Sequence, residues 1–219
     1  MNKMRLLFSK TGRAVYISHL DLMRTMSRAF LRADCPLKYS EGFNPHPQIS
    51  IALPLSVGTE SLCEIMDFRL REEREPEEIA NALKDQFPEG IELLCVYDSE
   101  RKTKDIKWLS IVGTFEYDDG SCDAKADKLN GFFSRDSIVI SKKTKRGIAD
   151  SDIKPAIREI SFKSNGEAVE LNSVISAQEP TLNPELLADA LRQLEPELAP
   201  DFAKFRRIEV LDETMSIFR

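Results

Sequence analysis

Residues 3–36 read KMRLLFSKTGRAVYISHLDLMRTMSRAFLRADCP, and this stretch decides how the fold begins. Its first part alternates, with Met4, Leu6 and Phe8 separated by single residues, as expected for a strand with one face on a core. Gly12 lies in the turn that follows. The stretch therefore predicts a strand over Lys3–Ser9, followed by a change of direction.

A helix is predicted next, beginning near Ser18. Ser18 and Asp21 fit the S-x-x-D capping pattern, in which a hydroxyl accepts a free backbone N–H group. Cys35 and Pro36 end the helix, because a residue before proline disfavours helical geometry. The apolar residues between these ends fall on one arc of a helical wheel: Leu22, Met23, Met26, Ala29 and Phe30.

The rest of the first hundred residues continues this pattern. Lys38–Pro47 holds a glycine and two prolines, which predicts a loop. Further strands are predicted at Gln48–Leu53, Leu62–Leu70 and Ile91–Tyr97, with a helix beginning at Glu75 and Pro76 between the last two. The order β-α-β-β-α-β is that of the ferredoxin-like fold, so we expect a first domain over residues 1–98.

A second unit is predicted over residues 106–219, after a polar linker at Ser99–Asp105. Asn165-Gly166 is a strong hairpin signal within it. The other elements are strands near Trp108–Tyr117, Ser137–Ser141, Ile157–Phe162, Ala168–Ile175 and Phe205–Leu211, and helices near Asp123–Phe133 and Asn183–Leu194. We therefore expect an α+β protein of two tandem ferredoxin-like units, the second with an added β-hairpin.

Composition narrows the class of protein. With 42% hydrophobic and 31% charged residues, the chain has the composition of a folded globular protein. No apolar run approaches the roughly 20 residues that cross a bilayer, and the N-terminus lacks a signal-peptide core, so we expect a cytoplasmic protein without a membrane partner. The four cysteines show no CxxC grouping, which argues against a locally held iron–sulfur cluster or zinc site. No metal and no cofactor are expected.

Charge is unevenly distributed along the chain. The net charge is −6, yet residues 1–58 contain eight basic and three acidic side chains, a balance of +5 that leaves −11 for the remainder. This asymmetry predicts a local anion-facing surface on an otherwise acidic body.

The junction of the first strand and helix is one candidate for that surface. Free N–H groups and the positive end of the helix dipole favour a phosphate near Ser18, and His19 could donate to it or move a proton. The alternative is that Ser18 only caps the helix and that His19 is a partly buried polar residue.

A row of arginines on the same helix is the second candidate. Arg24, Arg28 and Arg32 are spaced by four residues and point away from the predicted core face. Solvated helices usually mix their charges, and no acidic partner is expected on this face, so the row favours an anion. The alternative is an ordinary solvated face.

The loop YSEGFNPHP, Tyr39–Pro47, is the third and most informative candidate. It combines an aromatic hydroxyl, an exposed aromatic ring, an amide, a histidine and two stiffening prolines. Its candidate ligand-binding residues, with the preceding lysine, are Lys38, Tyr39, Phe43, Asn44 and His46. The alternative is that glycine and prolines only make a tight turn and that Phe43 fills the core. A basic run, Lys142, Lys143, Lys145 and Arg146, is a further possible phosphate contact.

Two segments, SHLDLMRTMSRA and PLKYSEGFNPHPQISIALPLSVGTES, resemble the radical-SAM-associated domain family of unknown function. The match covers about Lys3–Asp67, with Glu41 where many members carry glutamine. The resemblance implies partnership with a radical-SAM enzyme that acts on RNA. It also implies that this chain does not carry the cluster itself.

Three hypotheses follow. The first is an RNA-binding accessory protein that presents tRNA or rRNA to a radical-SAM enzyme, with the arginine row on phosphates and Phe43 or Tyr39 stacking on a base. The second is a metal-independent endoribonuclease, because two tandem ferredoxin-like units with a histidine at the first helix resemble the repeat-associated RNA-processing enzymes of CRISPR systems. His19 and His46 would then be base and acid, with Lys38 or an arginine stabilising the phosphorane. The third is an adaptor that binds only protein.

Overall fold

The computed structural model describes residues 3–144 and 147–219. The chain divides into two units, Met1–Asp105 together with Arg219, and Ile106–Phe218. Both are mixed α+β units with antiparallel strands, and the described residues form four α-helices. No helix in this part of the chain is long and apolar enough to cross a membrane.

The first unit contains four strands and two helices. In chain order they are β1 (Met4–Lys10), α1 (His19–Arg32), β2 (Ile49–Ile51), β3 (Glu60–Phe68), α2 (Pro76–Leu83) and β4 (Ile91–Asp98). β1 pairs antiparallel with both β4 and β3, and β2 pairs antiparallel with β3, which gives the spatial order β4-β1-β3-β2. A 3-10 turn at Gly12–Tyr16, between β1 and α1, was not predicted.

The core of this unit lies between its sheet and its helices. Met4, Leu6 and Phe8 of β1 are buried there, as their alternation predicted. On α1, Phe30 is fully buried and its ring lies 4.8 Å from that of Phe68 in an edge-to-face arrangement. Such aromatic pairs contribute about 0.5–1.5 kcal/mol beyond the area they bury. The predicted apolar face of α1 is therefore confirmed.

Charged side chains are also buried along β1. Arg5 donates from Nε to Asp67 Oδ1 at 2.8 Å, and Lys3 forms an ion pair with the same carboxylate at 2.5 Å. Lys10 donates from Nζ to the carbonyl of Val15 at 3.1 Å. Burial lowers the pKa of Lys10, and the nearby charge of Glu64 opposes that shift. Arg5 and Lys10 are engaged inside the unit, and the exposed Lys3 is paired with Asp67, so these cations add little to an anion-facing surface.

The second unit contains six strands and two helices. They are β5 (Trp108–Glu116), α3 (Cys122–Phe133), β6 (Val139–Thr144), β7 (Gly147–Asp152), β8 (Ile157–Ser164), β9 (Val169–Ser176), α4 (Glu185–Leu194) and β10 (Phe202–Leu211). Four of the strands pair antiparallel in the order β10-β5-β9-β8, while β6 and β7 form a separate hairpin. β7 was not predicted, since its residues are polar and mostly exposed.

The predicted turn at Asn165-Gly166 joins β8 to β9. The side-chain oxygen of Asn165 accepts the backbone N–H groups of Glu167 and Ala168 at 3.1 and 2.9 Å. Gly166 has φ +89°, a conformation that residues with a Cβ rarely adopt. The turn chemistry read from the sequence is confirmed.

Phe30→Ala should destabilise the protein by about 3–5 kcal/mol, because it removes a fully buried ring and leaves a cavity beside Phe68. Urea denaturation measures the loss. Leu31→Ala is the matched control on the same helix, since Leu31 is 79% exposed, and should change stability by no more than about 0.5 kcal/mol. Equal effects of the two substitutions would contradict this account of the core.

Candidate functional site

Ser18 caps α1, as its position predicted. Its Oγ accepts the backbone N–H of Asp21 at 3.2 Å, and its hydroxyl donates to Asp21 Oδ2 at 2.8 Å. The Asp21 carboxyl also accepts a hydrogen bond from Arg24. The hydrogen bond from Ser18 and, to a smaller extent, that from Arg24 hold the pKa of the Asp21 carboxyl below its ordinary value of 3.8. The helix N-terminus therefore already has an anion of its own, which weakens the case for a bound phosphate there.

His19 lies exposed in the first turn of α1. Within the described residues, its ring makes no hydrogen bond and no ion pair. Tyr16 and Leu20, on either side of it in sequence, are also exposed. His19 is therefore accessible, and the alternative of a partly buried polar residue does not hold.

The arginine row on α1 is less free than expected. Arg24 forms an ion pair with Asp21 at 2.9 Å, and Arg32 donates from Nη2 to the carbonyl of Gln86. Arg28 and Arg32 line a shallow cavity of about 440 Å³ together with Asp85. The expectation that this face has no acidic partner was wrong, because Asp21 lies one turn before Arg24 and Asp85 is brought close by the chain after α2. Arg28 alone of the three has no bonded partner among the described residues.

The Tyr39–Pro47 loop is closed by its own hydrogen bonds. Tyr39 and Pro47 form an antiparallel bridge, and the N–H of Ser40 donates to the carbonyl of His46 at 2.8 Å. The N–H of His46 donates to Ser40 Oγ at 3.1 Å, and the same Oγ lies 2.9 Å from His46 Nδ1. Gln48 ties down the base by donating from Nε2 to the carbonyl of Tyr39 at 3.2 Å. His46 thus fixes the loop.

The tip of this loop points into solvent. Phe43 is fully exposed, with a relative accessibility of 112%, so it does not fill the core. Gly42 has φ +118° and open space around it, so glycine is needed here for its backbone conformation and not for close packing. Asn44 is also exposed. The loop therefore presents an aromatic ring and an amide on a braced backbone.

Two arginines that sequence reasoning missed lie at the base of the loop. The carbonyl of Arg69 accepts the N–H of Lys38 at 2.8 Å, and its N–H donates to the carbonyl of Gln48 at 3.2 Å. Arg71 donates its N–H to the carbonyl of Pro36 at 2.9 Å, and its guanidinium lies 5.7 Å over the centre of the Tyr39 ring. Both arginines are exposed, while the lysine is half-buried.

The only sequence signal that these arginines are exposed is the alternation Arg69-Leu70-Arg71, in which the apolar residue is the buried one. They lie more than twenty positions beyond the loop in the sequence and are followed by acidic residues, so the sequence did not link them to the loop. The loop's basic neighbours thus come from the residues that follow β3, in addition to Lys38.

No bond among the described residues links the two candidate histidines, His19 and His46. No cluster of three or more His, Cys, Asp or Glu suited to a metal occurs in the described part of the chain. The four cysteines are free thiols, and burial raises the pKa of Cys35 and Cys95. Lys145 and Arg146 of the basic run lie outside the described residues.

Comparison with known proteins gives the family. The sequence model of an uncharacterized protein family conserved in bacteria (DUF2344) matches residues 3–184, and the chain belongs to this family. No curated protein matches the chain.

Two examples illustrate the solved structures that are similar to this chain. One is a crystal structure of a Cbf5-Nop10-Gar1 complex, with a TM-score of 0.53 and 9% identity over 94% of this chain and 48% of the matched chain. This chain thus spans about half the length of that one, and the likeness concerns the fold alone. The other is a crystal structure of an unknown protein from Galdieria sulphuraria, with a TM-score of 0.27 and 10% identity over 94% of this chain and 98% of the other.

Ser18→Ala should destabilise α1 by about 1 kcal/mol through loss of its cap, whereas Ser18→Thr should retain most of the stability. The pKa of Asp21 should rise towards 3.8 in the alanine variant. Because ionised Asp21 is the better acceptor, the stability gap between wild type and variant should be full above about pH 4 and narrow as the pH falls through the lowered pKa. Urea denaturation across pH, with NMR titration of the Asp21 carboxyl, measures both effects. A gap independent of pH would contradict the hydrogen bond between the two side chains.

Proposed function

We propose that this chain is an accessory RNA-binding protein that works with a radical-SAM enzyme in RNA modification. The observation that carries the binding part is Phe43, fully exposed at the tip of a loop that its own hydrogen bonds hold in shape. The partnership rests on the resemblance of the SHLD and YSEGFNPHP segments to the radical-SAM-associated family.

The ring of Phe43 is apolar surface that the fold of this chain does not cover. Burying a phenylalanine side chain contributes about 1.5–3 kcal/mol, and this fold leaves that contribution unused. A partner that covers the ring recovers it. Stacking of a base on an aromatic side chain contributes about 1–3 kcal/mol, and a loop whose backbone is already hydrogen-bonded loses less conformational entropy on binding than an open one.

The groups around the ring favour RNA as that partner. The amide of Asn44 and the imidazole of His46 can hydrogen-bond to base edges, and Lys38 supplies a cation at the base of the loop. The face of the Arg71 guanidinium already lies over the Tyr39 ring. In this arrangement the N–H groups at the edge of the guanidinium stay available to donate to a phosphate. Aromatic, amide and cationic groups together are typical of single-strand and loop recognition.

We also propose that both units are ferredoxin-like. In each unit, leaving out the β6–β7 hairpin, the first strand in the chain lies between the fourth and the third, and the second lies beyond the third. Each unit also places one helix after its first strand and one after its third. This order supports a tandem arrangement with the hairpin inserted after α3. It is an argument about architecture, and function rests on the loop.

Purification of the tagged protein from its native cell, with identification of both co-eluting protein and RNA, tests the partnership. We expect a radical-SAM enzyme together with tRNA or rRNA. Recovery of the enzyme without RNA would indicate a protein-only adaptor. Shortened RNA products that disappear in His19→Ala and His46→Ala variants would indicate the endoribonuclease.

Phe43→Ala should weaken binding of labelled bulk tRNA by about 1–3 kcal/mol, or roughly 5- to 150-fold, because a stacking surface is lost. The melting temperature should not change, since the ring is fully exposed. Fluorescence anisotropy and thermal unfolding measure the two quantities on one variant. Phe202→Ala is the control, because Phe202 is an exposed ring outside the proposed site and should leave RNA affinity unchanged. Unaltered affinity in Phe43→Ala would count against stacking.

A further inference from the structure

We infer that the RNA bound by the Tyr39–Pro47 loop is unpaired and that its phosphates contact Arg69 and Arg71, not the arginines of α1. The inference rests on the proposed function and specifies its substrate class. It adds two residues that the sequence motifs do not contain.

The shape of the aromatic group favours an unpaired strand. Phe43 is fully exposed at the tip of a loop, so its faces are open to a ligand. In a duplex the base faces are covered by their neighbours, and a protruding ring reaches them only at an end. In a single strand or a loop the bases can turn outward and stack on aromatic side chains. A ring presented in this way therefore fits an unpaired base.

The position of the two arginines favours a backbone that runs past the base of the loop. Arg69 is hydrogen-bonded through its backbone to Lys38 and to Gln48, which lie on the two sides of the loop. Arg71 lies over Tyr39, on the residue that closes the loop. Their side chains are exposed, and both follow directly from β3, an element whose residues are almost all buried. Their backbones are thus held in place before any ligand binds.

The arginines of α1 are poorer candidates. Arg24 is paired with Asp21, Arg32 donates to the carbonyl of Gln86, and Arg28 shares its cavity with Asp85. A phosphate bound here would be repelled by the carboxylates of Asp21 and Asp85, near the two ends of the row. The positive potential of α1 is therefore weaker than its sequence indicated.

Acidic residues next to Arg71 also limit what can bind. A cavity of about 280 Å³ that Leu70 also lines has one cation, Arg74, and five carboxylates, those of Glu72, Glu73, Glu75, Glu78 and Asp98. A duplex carries two phosphate backbones and spreads its charge over a wide surface, so it meets this acidic region as well as the arginines. A single strand can follow Arg69 and Arg71 and avoid it.

The test uses the full chain and two RNA probes. One is a labelled single strand of about 12 nucleotides without self-complementarity, a length within the range that one small domain covers. The other is the same strand annealed to its complement. Fluorescence anisotropy at a series of salt concentrations gives affinity and salt slope for the wild type. We expect the single strand to bind at least about tenfold more tightly than the duplex, in line with one stacked base.

Two charge variants locate the phosphates. The double variant Arg69→Gln, Arg71→Gln should reduce the salt slope for the single strand by about 1.4, because each phosphate contact contributes about 0.7. The matched variant Arg24→Gln, Arg28→Gln should change it by less than about half of that. Arg71→Lys should preserve the slope, since the charge remains, and thermal unfolding confirms that each variant is folded.

The outcomes separate the two proposals. Absence of binding to either probe overturns the RNA-binding function itself. Equal affinity for single strand and duplex leaves that function in place and overturns the choice of unpaired RNA. A larger loss of slope in the α1 variant than in the Arg69, Arg71 variant overturns the location of the phosphate contact.

Discussion

Three backbone hydrogen bonds between the end of β3 and the chain on either side of the loop hold the candidate site. They join Lys38 to Arg69, Gln48 to Arg69, and Pro36 to Arg71. β3 pairs with β1 and most of its residues are buried, so the backbone that follows β3 is well fixed. The base of the loop is hydrogen-bonded to this backbone and is therefore fixed as well. The contacts of His46 with Ser40 then carry that rigidity towards the tip. Without these hydrogen bonds the loop that carries Phe43 would be less ordered, and ordering its backbone on binding would cost more free energy.

The parts that the sequence predicted well are those governed by local periodicity. Alternation at Met4, Leu6 and Phe8 and the helical spacing up to Phe30 depend only on near neighbours, and these apolar residues are buried as expected, although the other face of β1 is buried as well. The role of Arg69 depends on a pairing with Lys38 some thirty positions earlier, and no local pattern reports such a pairing. β7 was not predicted because a polar, solvent-facing strand has no apolar alternation. The Asp21–Arg24 pair is different: its i, i+3 spacing was visible in the sequence, and it should have reduced the weight given to the arginine row.

The charge count of residues 1–58 overstated the surface available to an anion. A net charge of +5 treats every cation as free. In the structure Lys3 and Arg5 are drawn to Asp67, and Lys10 is buried against a backbone carbonyl. Arg24 is neutralised by its own helix. A small group of cations beside an acidic region remains near the loop. Such a group favours a narrow ligand that binds through individual contacts, because long-range electrostatic attraction to it is weak.

The bracing of the loop also determines which hydrogen-bonding group His46 offers to a ligand. Nδ1 lies 2.9 Å from Ser40 Oγ and 3.3 Å from the carbonyl oxygen of Asn44. The carbonyl can only accept, and Ser40 Oγ retains a lone pair after accepting the backbone N–H of His46, so a proton on Nδ1 satisfies both neighbours. In the neutral ring this leaves Nε2 as an acceptor, able to receive an exocyclic amine or imino N–H of a base. The same imidazole can therefore brace the loop through one nitrogen and read the ligand through the other, with the loop geometry independent of the ligand.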